Sequence, residues 1–85
     1  MLVDLRELEA GSTLEADLCI IGAGPAGISL ALEFADTPTS VLLLESGGLD
    51  FEGDTQALAG GANLGIPYWD LEVARLRCLG GGSNH

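Results

Sequence analysis

Residues 17–27 read DLCIIGAGPAG, an apolar run of strand length that passes directly into three closely spaced glycines. Residues 28–35 are dense in helix formers, and Pro38 is expected to stop the helix they form. Residues 40–45 contain a second apolar run, which ends on Glu45. Both runs are apolar without alternation, which is typical of strands buried on both faces of a parallel sheet. The sequence therefore predicts the α/β class, with a βαβ unit and an incomplete parallel sheet.

The glycines between the first strand and the helix follow the spacing Gly22-x-Gly24-x-x-Gly27. Gly22 allows the tight turn, Gly24 leaves the backbone open to a pyrophosphate, and Gly27 lets the helix lie close to the sheet. Pro25 suits the first helical position, where a missing N–H costs nothing, and Ala26 follows it in the same turn. The free N–H groups and positive dipole of the helix N-terminus would face the phosphates. The pattern predicts a Rossmann-like dinucleotide-binding unit.

Glu45 lies 18 residues beyond Gly27, about where a ribose-binding carboxylate is expected. Its two oxygens can accept hydrogen bonds from both hydroxyls of an adenosine ribose. Because no Arg or Lys lies nearby to offset the repulsion of a 2′-phosphate, NADP is disfavoured. Ala31 keeps the helix surface small one turn after Gly27, which favours FAD over NAD. The alternatives are a buried βαβ unit without a ligand and, for Glu45, a solvated strand end.

Near the end of the chain, two of the three basic residues, Arg75 and Arg77, precede a run of glycines. Cations beside unhindered backbone N–H groups can form a second contact with an anion. The glycine-rich stretch at 46–65 is expected to be loop with one turn of helix around residues 55–58. The alternation over residues 75–79 predicts an ordered strand before the glycines at 80–82. A solvated basic face and a flexible tail are the alternatives. The cofactor contacts expected in this stretch are Arg77, Gly80, Gly81, Ser83 and Asn84.

Three stretches of the chain resemble the N-terminal part of the glucose–methanol–choline (GMC) family of flavin oxidoreductases. The stretches are residues 17–27, LLESGG at 43–48 and RCLGGGSNH at 77–85. In that family the first stretch binds the FAD pyrophosphate, and the acid that ends the second strand, here Glu45, binds the adenosine ribose. The third stretch approaches the pyrophosphate and the flavin. Residues 49–74 match the family only loosely.

The resemblance implies FAD as cofactor and an enzyme that oxidises the CH–OH group of an alcohol or sugar by hydride transfer to flavin N5. The family's base is a histidine in the C-terminal part of the fold, so no catalytic residue is expected in this chain. Ser46, beside the ribose carboxylate, is counted with the cofactor contacts. His85 resembles a position that binds the flavin methyl covalently in the pyranose-oxidase-like branch. A polar group near the isoalloxazine is the alternative for this histidine.

Residues 1–85 are therefore expected to form the N-terminal portion of an FAD-binding domain, without the substrate domain. Such a portion should have no turnover and little stability by itself. Two other hypotheses stay open. One is the FAD-binding part of an NAD(P)H-dependent reductase or monooxygenase, which usually needs a second glycine fingerprint. The other is a noncatalytic nucleotide-binding module.

The composition excludes several other classes of function. Thirteen acidic residues against three basic ones give a net charge of −10, which is unsuited to nucleic-acid phosphates or anionic lipids. No apolar run approaches the ~18 residues of a membrane span. Cys19 and Cys78 belong to no metal-binding spacing, and two reduced thiols without a metal are expected. The N-terminus lacks the positive region of a signal peptide, so a cytoplasmic location is predicted.

Overall fold

The computed structural model describes residues 1–83 as a mixed α/β unit built on a two-stranded parallel sheet. Its regular elements are β1 (Leu18–Ile21), α1 (Pro25–Glu33), β2 (Val41–Leu44), α2 (Gly53–Gln56) and α3 (Leu71–Ala74). Single turns of 3-10 helix cover Leu5–Glu7, Ala57–Ala59 and Gly81–Ser83. The α/β class and the small parallel sheet predicted from the sequence are confirmed.

The two strands pair residue by residue, from Leu18 with Val41 to Ile21 with Leu44. The ladder continues one residue further at its C-terminal end, where the Gly22 N–H donates to the Leu44 carbonyl at 2.7 Å. At the opposite end two polar residues exchange hydrogen bonds. The Asp17 N–H donates to Ser40 Oγ at 2.8 Å, and the Ser40 N–H donates to Asp17 Oδ2 at 2.9 Å. Hydrogen bonding between the two chain segments therefore extends beyond both ends of the apolar strands.

Helix α1 begins at Pro25, as the sequence predicts, because proline tolerates the first helical position. Its predicted end at residue 35 is two residues too late. The helix ends at Glu33, and the chain then turns through Asp36, whose φ of 62° lies in the left-handed region. Thr37 Oγ1 donates to the Phe34 carbonyl at 2.6 Å, which satisfies one carbonyl that the ended helix leaves open.

The second part of the chain contains one confirmed and one wrong prediction. The predicted turn of helix at residues 55–58 is present as α2 and the 3-10 turn that follows it. The predicted strand at residues 75–79 is not formed. Arg75 has extended backbone angles (φ −126°, ψ 102°), but no strand pairs with this segment in residues 1–83. An extended conformation alone does not make a strand, because a strand also needs a hydrogen-bonded neighbour.

Few side chains are buried within residues 1–83. The buried apolar residues are Ile20, Ala23 and Cys78. Helix α1 packs on both strands, but Ile21 at the end of β1 is 85% exposed. The expectation that both strands are buried on both faces is therefore wrong for this part of the chain. Of the helices in residues 1–83, none has the length and apolar character to cross a membrane.

Candidate functional site

Three segments that are distant in the sequence meet beyond the carboxyl ends of β1 and β2. They are the glycine turn (residues 22–24), the post-strand loop (residues 45–48) and the terminal segment (residues 77–81). The Gly80 N–H donates to the Ala23 carbonyl at 2.7 Å, and the Leu79 N–H donates to the Gly48 carbonyl at 3.0 Å. This edge is where open α/β sheets hold their ligands. Site residues predicted separately from three motifs are thus brought together in one place.

The terminal segment lies directly against the backbone of the other two. A β-carbon added to Gly47 would overlap the carbonyl of Arg77. A β-carbon added to Gly81 would lie 3.2 Å from the Gly24 Cα, and Gly81 also has a φ of +56°. Side chains at these positions would push the segments apart. Gly47 and Gly81 therefore serve contacts within the protein as well as any contact with a ligand.

The glycine turn brings α1 close to β1. Gly22 has a φ of +105°, which L side chains rarely adopt and which reverses the chain directly after the strand. A β-carbon on Gly27 would overlap the Gly22 carbonyl oxygen. The close approach of helix and strand predicted for Gly27 is therefore present.

Gly24 differs from Gly27, Gly47 and Gly81 because no atom lies within 4 Å of the place where its β-carbon would be, and it differs from Gly22 because its φ is not positive. Its backbone angles (φ −84°, ψ −174°) are also accessible to other residues. Nothing within the described chain thus requires glycine at this position. The first turn of a helix has N–H groups without intrahelical partners, and here Ala26 and Gly27 carry them, since Pro25 has none. The open space at Gly24 therefore lies next to the N–H groups of the first turn of α1, which have no intrahelical partner.

The carboxylate of Glu45 connects the post-strand loop to the glycine turn. Its Oε2 accepts the Ala23 N–H at 2.9 Å, and its Oε1 accepts the Gly47 N–H at 3.0 Å and the Ser46 hydroxyl at 3.2 Å. Partial burial raises the pKa of Glu45, but the hydrogen bonds from Gly47, Ala23 and Ser46 together outweigh it and lower the pKa below its ordinary value. Glu45 is therefore ionised at neutral pH.

The structure separates the two arginines that the sequence placed together. The Arg75 guanidinium lies over the Tyr68 ring, 5.4 Å from its centroid, and Nη1 donates to the Tyr68 hydroxyl at 3.1 Å. Arg77 is half-buried, and its Nε is buried without a hydrogen-bond partner in residues 1–83. Of the two arginines, Arg77 is the one that belongs to the terminal segment.

Gln56 is the residue that sequence reasoning missed. It is only 5% exposed, and its side chain accepts the Arg77 N–H at 3.0 Å. The sequence placed it in a helical turn between loops, with no signal for burial. Gln56 is buried because residues 72–77 fold back over α2, and this contact depends on residues 16 to 21 positions further along the chain.

The remaining predicted residues lie at the margin of the site. Ser46 is exposed, and Ser83 is exposed within the last 3-10 turn. Asn84 and His85, predicted as cofactor contacts, lie outside the described residues. Cys19 and Cys78 are free thiols, and residues 1–83 contain no group of three or more His, Cys, Asp or Glu side chains arranged to hold a metal.

Comparison with known proteins identifies no relative of this chain. No family model matches it, and neither a curated protein nor a solved structure is significantly similar. The meeting of the glycine turn, the post-strand loop and the terminal segment is thus the observation from which a function can be inferred.

Proposed function

We propose that this chain is the N-terminal FAD-binding portion of a GMC-type flavin oxidoreductase that acts on the CH–OH groups of alcohols or sugars. The observation that carries the proposal is the meeting of three predicted motifs at the first turn of α1. In this proposal the βαβ unit is Rossmann-like, and the substrate-binding part belongs to another portion of the enzyme. FAD supplies the acceptor for the hydride that leaves the alcohol carbon.

The open space at Gly24 supports binding of a pyrophosphate. A glycine that no neighbouring atom requires is explained when a ligand occupies the volume of its missing side chain. The free N–H groups of Ala26 and Gly27 point out of the helix end, where its dipole favours an anion. Backbone donors at this place bind phosphate oxygens in spite of the net charge of −10.

Glu45 supports binding of an unphosphorylated ribose. Its Oε2 accepts one hydrogen bond from the protein, which leaves a lone pair for a ribose hydroxyl. Because the hydrogen bonds from the loop and the glycine turn keep Glu45 ionised, a 2′-phosphate would be repelled. FAD and NAD are compatible with this carboxylate, whereas NADP is not.

The terminal segment supports a second contact with the cofactor. Arg77 is the single basic residue in the three segments, and its buried Nε lacks a partner in the described chain. A guanidinium beside a dinucleotide pyrophosphate would compensate part of its charge. Gly80 and Gly81 let the backbone lie directly against the glycine turn, and Ser83 adds an exposed hydroxyl beyond them.

Gly24→Ala tests the proposal, because the new methyl group enters open space and leaves the fold intact. Losing one or two charge-assisted hydrogen bonds to phosphate costs about 1.5–3 kcal/mol each, so we expect the Kd for FAD to rise about tenfold or more. The Kd is measured by quenching of flavin fluorescence on the full chain, and far-UV circular dichroism checks that the variant is folded.

Gly53→Ala is the matched control, since its β-carbon also meets no atom within 4 Å but lies at the start of α2. It should bind FAD as the wild type does. A folded wild-type chain that binds no FAD would refute the proposal, as would a Gly24→Ala chain with unchanged affinity. Binding of NAD in place of FAD would favour the noncatalytic nucleotide-binding module.

A further inference from the structure

Gln56 is the only buried polar or charged residue in residues 1–83. A buried amide is costly unless its donors and acceptor are satisfied. Its Nε2 donates to the Glu72 carbonyl at 2.7 Å and to the Arg75 carbonyl at 2.6 Å, while its Oε1 accepts the Arg77 N–H at 3.0 Å. Two carbonyls and one N–H also fix which way the amide is turned.

These partners are all backbone groups of the chain that leads into the terminal segment. Because residues 75–79 do not pair with a strand, their peptide groups need other partners. The Gln56 amide presents a carbonyl to Arg77 and an NH2 to Arg75, as the edge of a neighbouring strand would. One side chain thus replaces a strand at this place.

The effect of Gln56 extends to the glycine turn through a short path. Directly after Arg77, Cys78 is buried, and the Gly80 N–H reaches the Ala23 carbonyl at 2.7 Å. The terminal segment is therefore held at its start by Gln56 and at its end by the glycine turn. Without the hydrogen bonds to Gln56, the direction of the chain between the end of α3 and Arg77 is no longer fixed.

We infer that Gln56 is a positioning residue for the cofactor site, which holds Arg77 and the glycines after it against the glycine turn. The inference rests on the proposed function for the identity of the ligand, which is a dinucleotide pyrophosphate. Gln56 itself does not touch the ligand. Its contribution is the fixed placement of a cation and of closely packed glycine backbone beside the phosphate-binding turn.

The test uses two nearly isosteric substitutions in the full chain, Gln56→Met and Gln56→Glu. Gln56→Met removes all three hydrogen bonds without adding charge, and Gln56→Glu removes both donors. We expect both to raise the Kd for FAD about tenfold or more. We also expect amide hydrogen exchange of Gly80 to become about tenfold faster or more, while exchange of Gly22 in the sheet is unchanged.

Asn63→Asp is the matched control for the change of amide to carboxylate. Asn63 also donates to two backbone carbonyls, those of Tyr68 and Trp69, but it is exposed. It should leave both the Kd for FAD and the exchange of Gly80 within about twofold of the wild type. A loss of affinity in Gln56→Glu alone would indicate charge repulsion and would overturn the inference.

Hydrogen exchange separates this inference from the proposed function. If the wild type binds no FAD, faster exchange at Gly80 in Gln56→Met still supports the positioning of the terminal segment, although the ligand is then misidentified. Unchanged exchange at Gly80 overturns the inference. Equal acceleration at Gly22 and Gly80 also overturns it, because Gln56 would then stabilise the whole fold without a particular effect on the site.

Discussion

The two regions of this molecule are held together in different ways. In the first region, residues 17–48, a ladder of backbone hydrogen bonds joins two strands, and one helix packs on both. In the second region, residues 49–83, the helices α2 and α3 have four residues each and no strand forms. That region is held together internally by the buried Gln56 amide, and it is attached to the first region by close contacts at Gly47 and Gly81 and by two backbone hydrogen bonds.

This difference shows how the sequence specifies each region. A strand or helix of the first region is specified by neighbouring residues, since apolar runs, a proline and a glycine turn act over a few positions. The internal order of the second region depends on pairs such as Gln56 with Arg77, and its attachment to the first depends on pairs such as Gly47 with Arg77. The partners in these pairs are distant in the sequence. Substitutions should therefore affect the two regions unequally.

Gly27→Ala should have the largest effect, because its β-carbon would overlap the Gly22 carbonyl and force α1 away from β1. Overpacking against backbone costs about 3 kcal/mol of unfolding free energy, a large share of the stability of a chain this size. Both regions should lose order, since the second is attached to the glycine turn. Urea denaturation followed by circular dichroism measures the loss.

The control for this substitution is Gly53→Ala, which adds a methyl group in open space at the start of α2. It should change the unfolding free energy by less than about 1 kcal/mol. If Gly27→Ala were as stable as this control, the close approach of helix to strand would not be what orders the first region.

Gly47→Ala should have an intermediate effect that is confined to the second region. Its β-carbon would overlap the carbonyl of Arg77, so the terminal segment must move away at a cost of about 2 kcal/mol. Amide exchange should accelerate at Leu79 and Gly80 but not at Gly22, whose N–H belongs to the sheet.

Gly82→Ala provides the comparison within the same region, because nothing lies within 4 Å of its added β-carbon. Its exchange pattern should match that of the wild type. Equal acceleration of Gly22 and Leu79 in Gly47→Ala would show that the two regions unfold as one unit, and the contrast drawn between them would be wrong.

Glu45→Gln should have the smallest effect at neutral pH and a characteristic pH dependence. Despite partial burial, the hydrogen bonds from Gly47, Ala23 and Ser46 lower the pKa of Glu45 in the folded chain. Its contribution to stability is then fully present above the unfolded-state pKa of about 4.3 and is lost as the pH falls through the lower folded-state pKa. Unfolding free energies measured across this acidic range should fall less steeply in the variant.

Glu33→Gln removes one exposed carboxylate at the end of α1 and serves as the control for the change in net charge. Its acid dependence should follow that of the wild type. Identical slopes for Glu45→Gln and wild type would mean that the bonds from the Ala23 and Gly47 N–H groups do not depend on the charge of the carboxylate.

Much of the first region could be predicted from the sequence, and little of the second. The strands and the start of α1 at Pro25 follow from local patterns, whereas the hydrogen bond from the Ala23 N–H to Glu45 was not predicted. The predicted strand at 75–79 was wrong because alternation specifies an extended backbone but not a partner. Arg75 and Arg77 were expected to act together, yet the Arg75 guanidinium lies over the Tyr68 ring, a contact with a residue seven positions earlier that no local pattern indicates.

The hydrogen bonds between Asp17 and Ser40 bear on how the sheet avoids a shifted alignment. Leu42, Leu43 and Leu44 are identical side chains, so a one-residue slip of β2 that pairs Leu18 with Leu42 would still place leucine against β1 in three of the four pairs. Hydrophobic patterning therefore specifies this alignment only weakly. The polar exchange before the strands and the bond from the Ala23 N–H to Glu45 after them each fit one alignment alone. The apolar strands stabilise the sheet, and the polar groups that flank them determine its register.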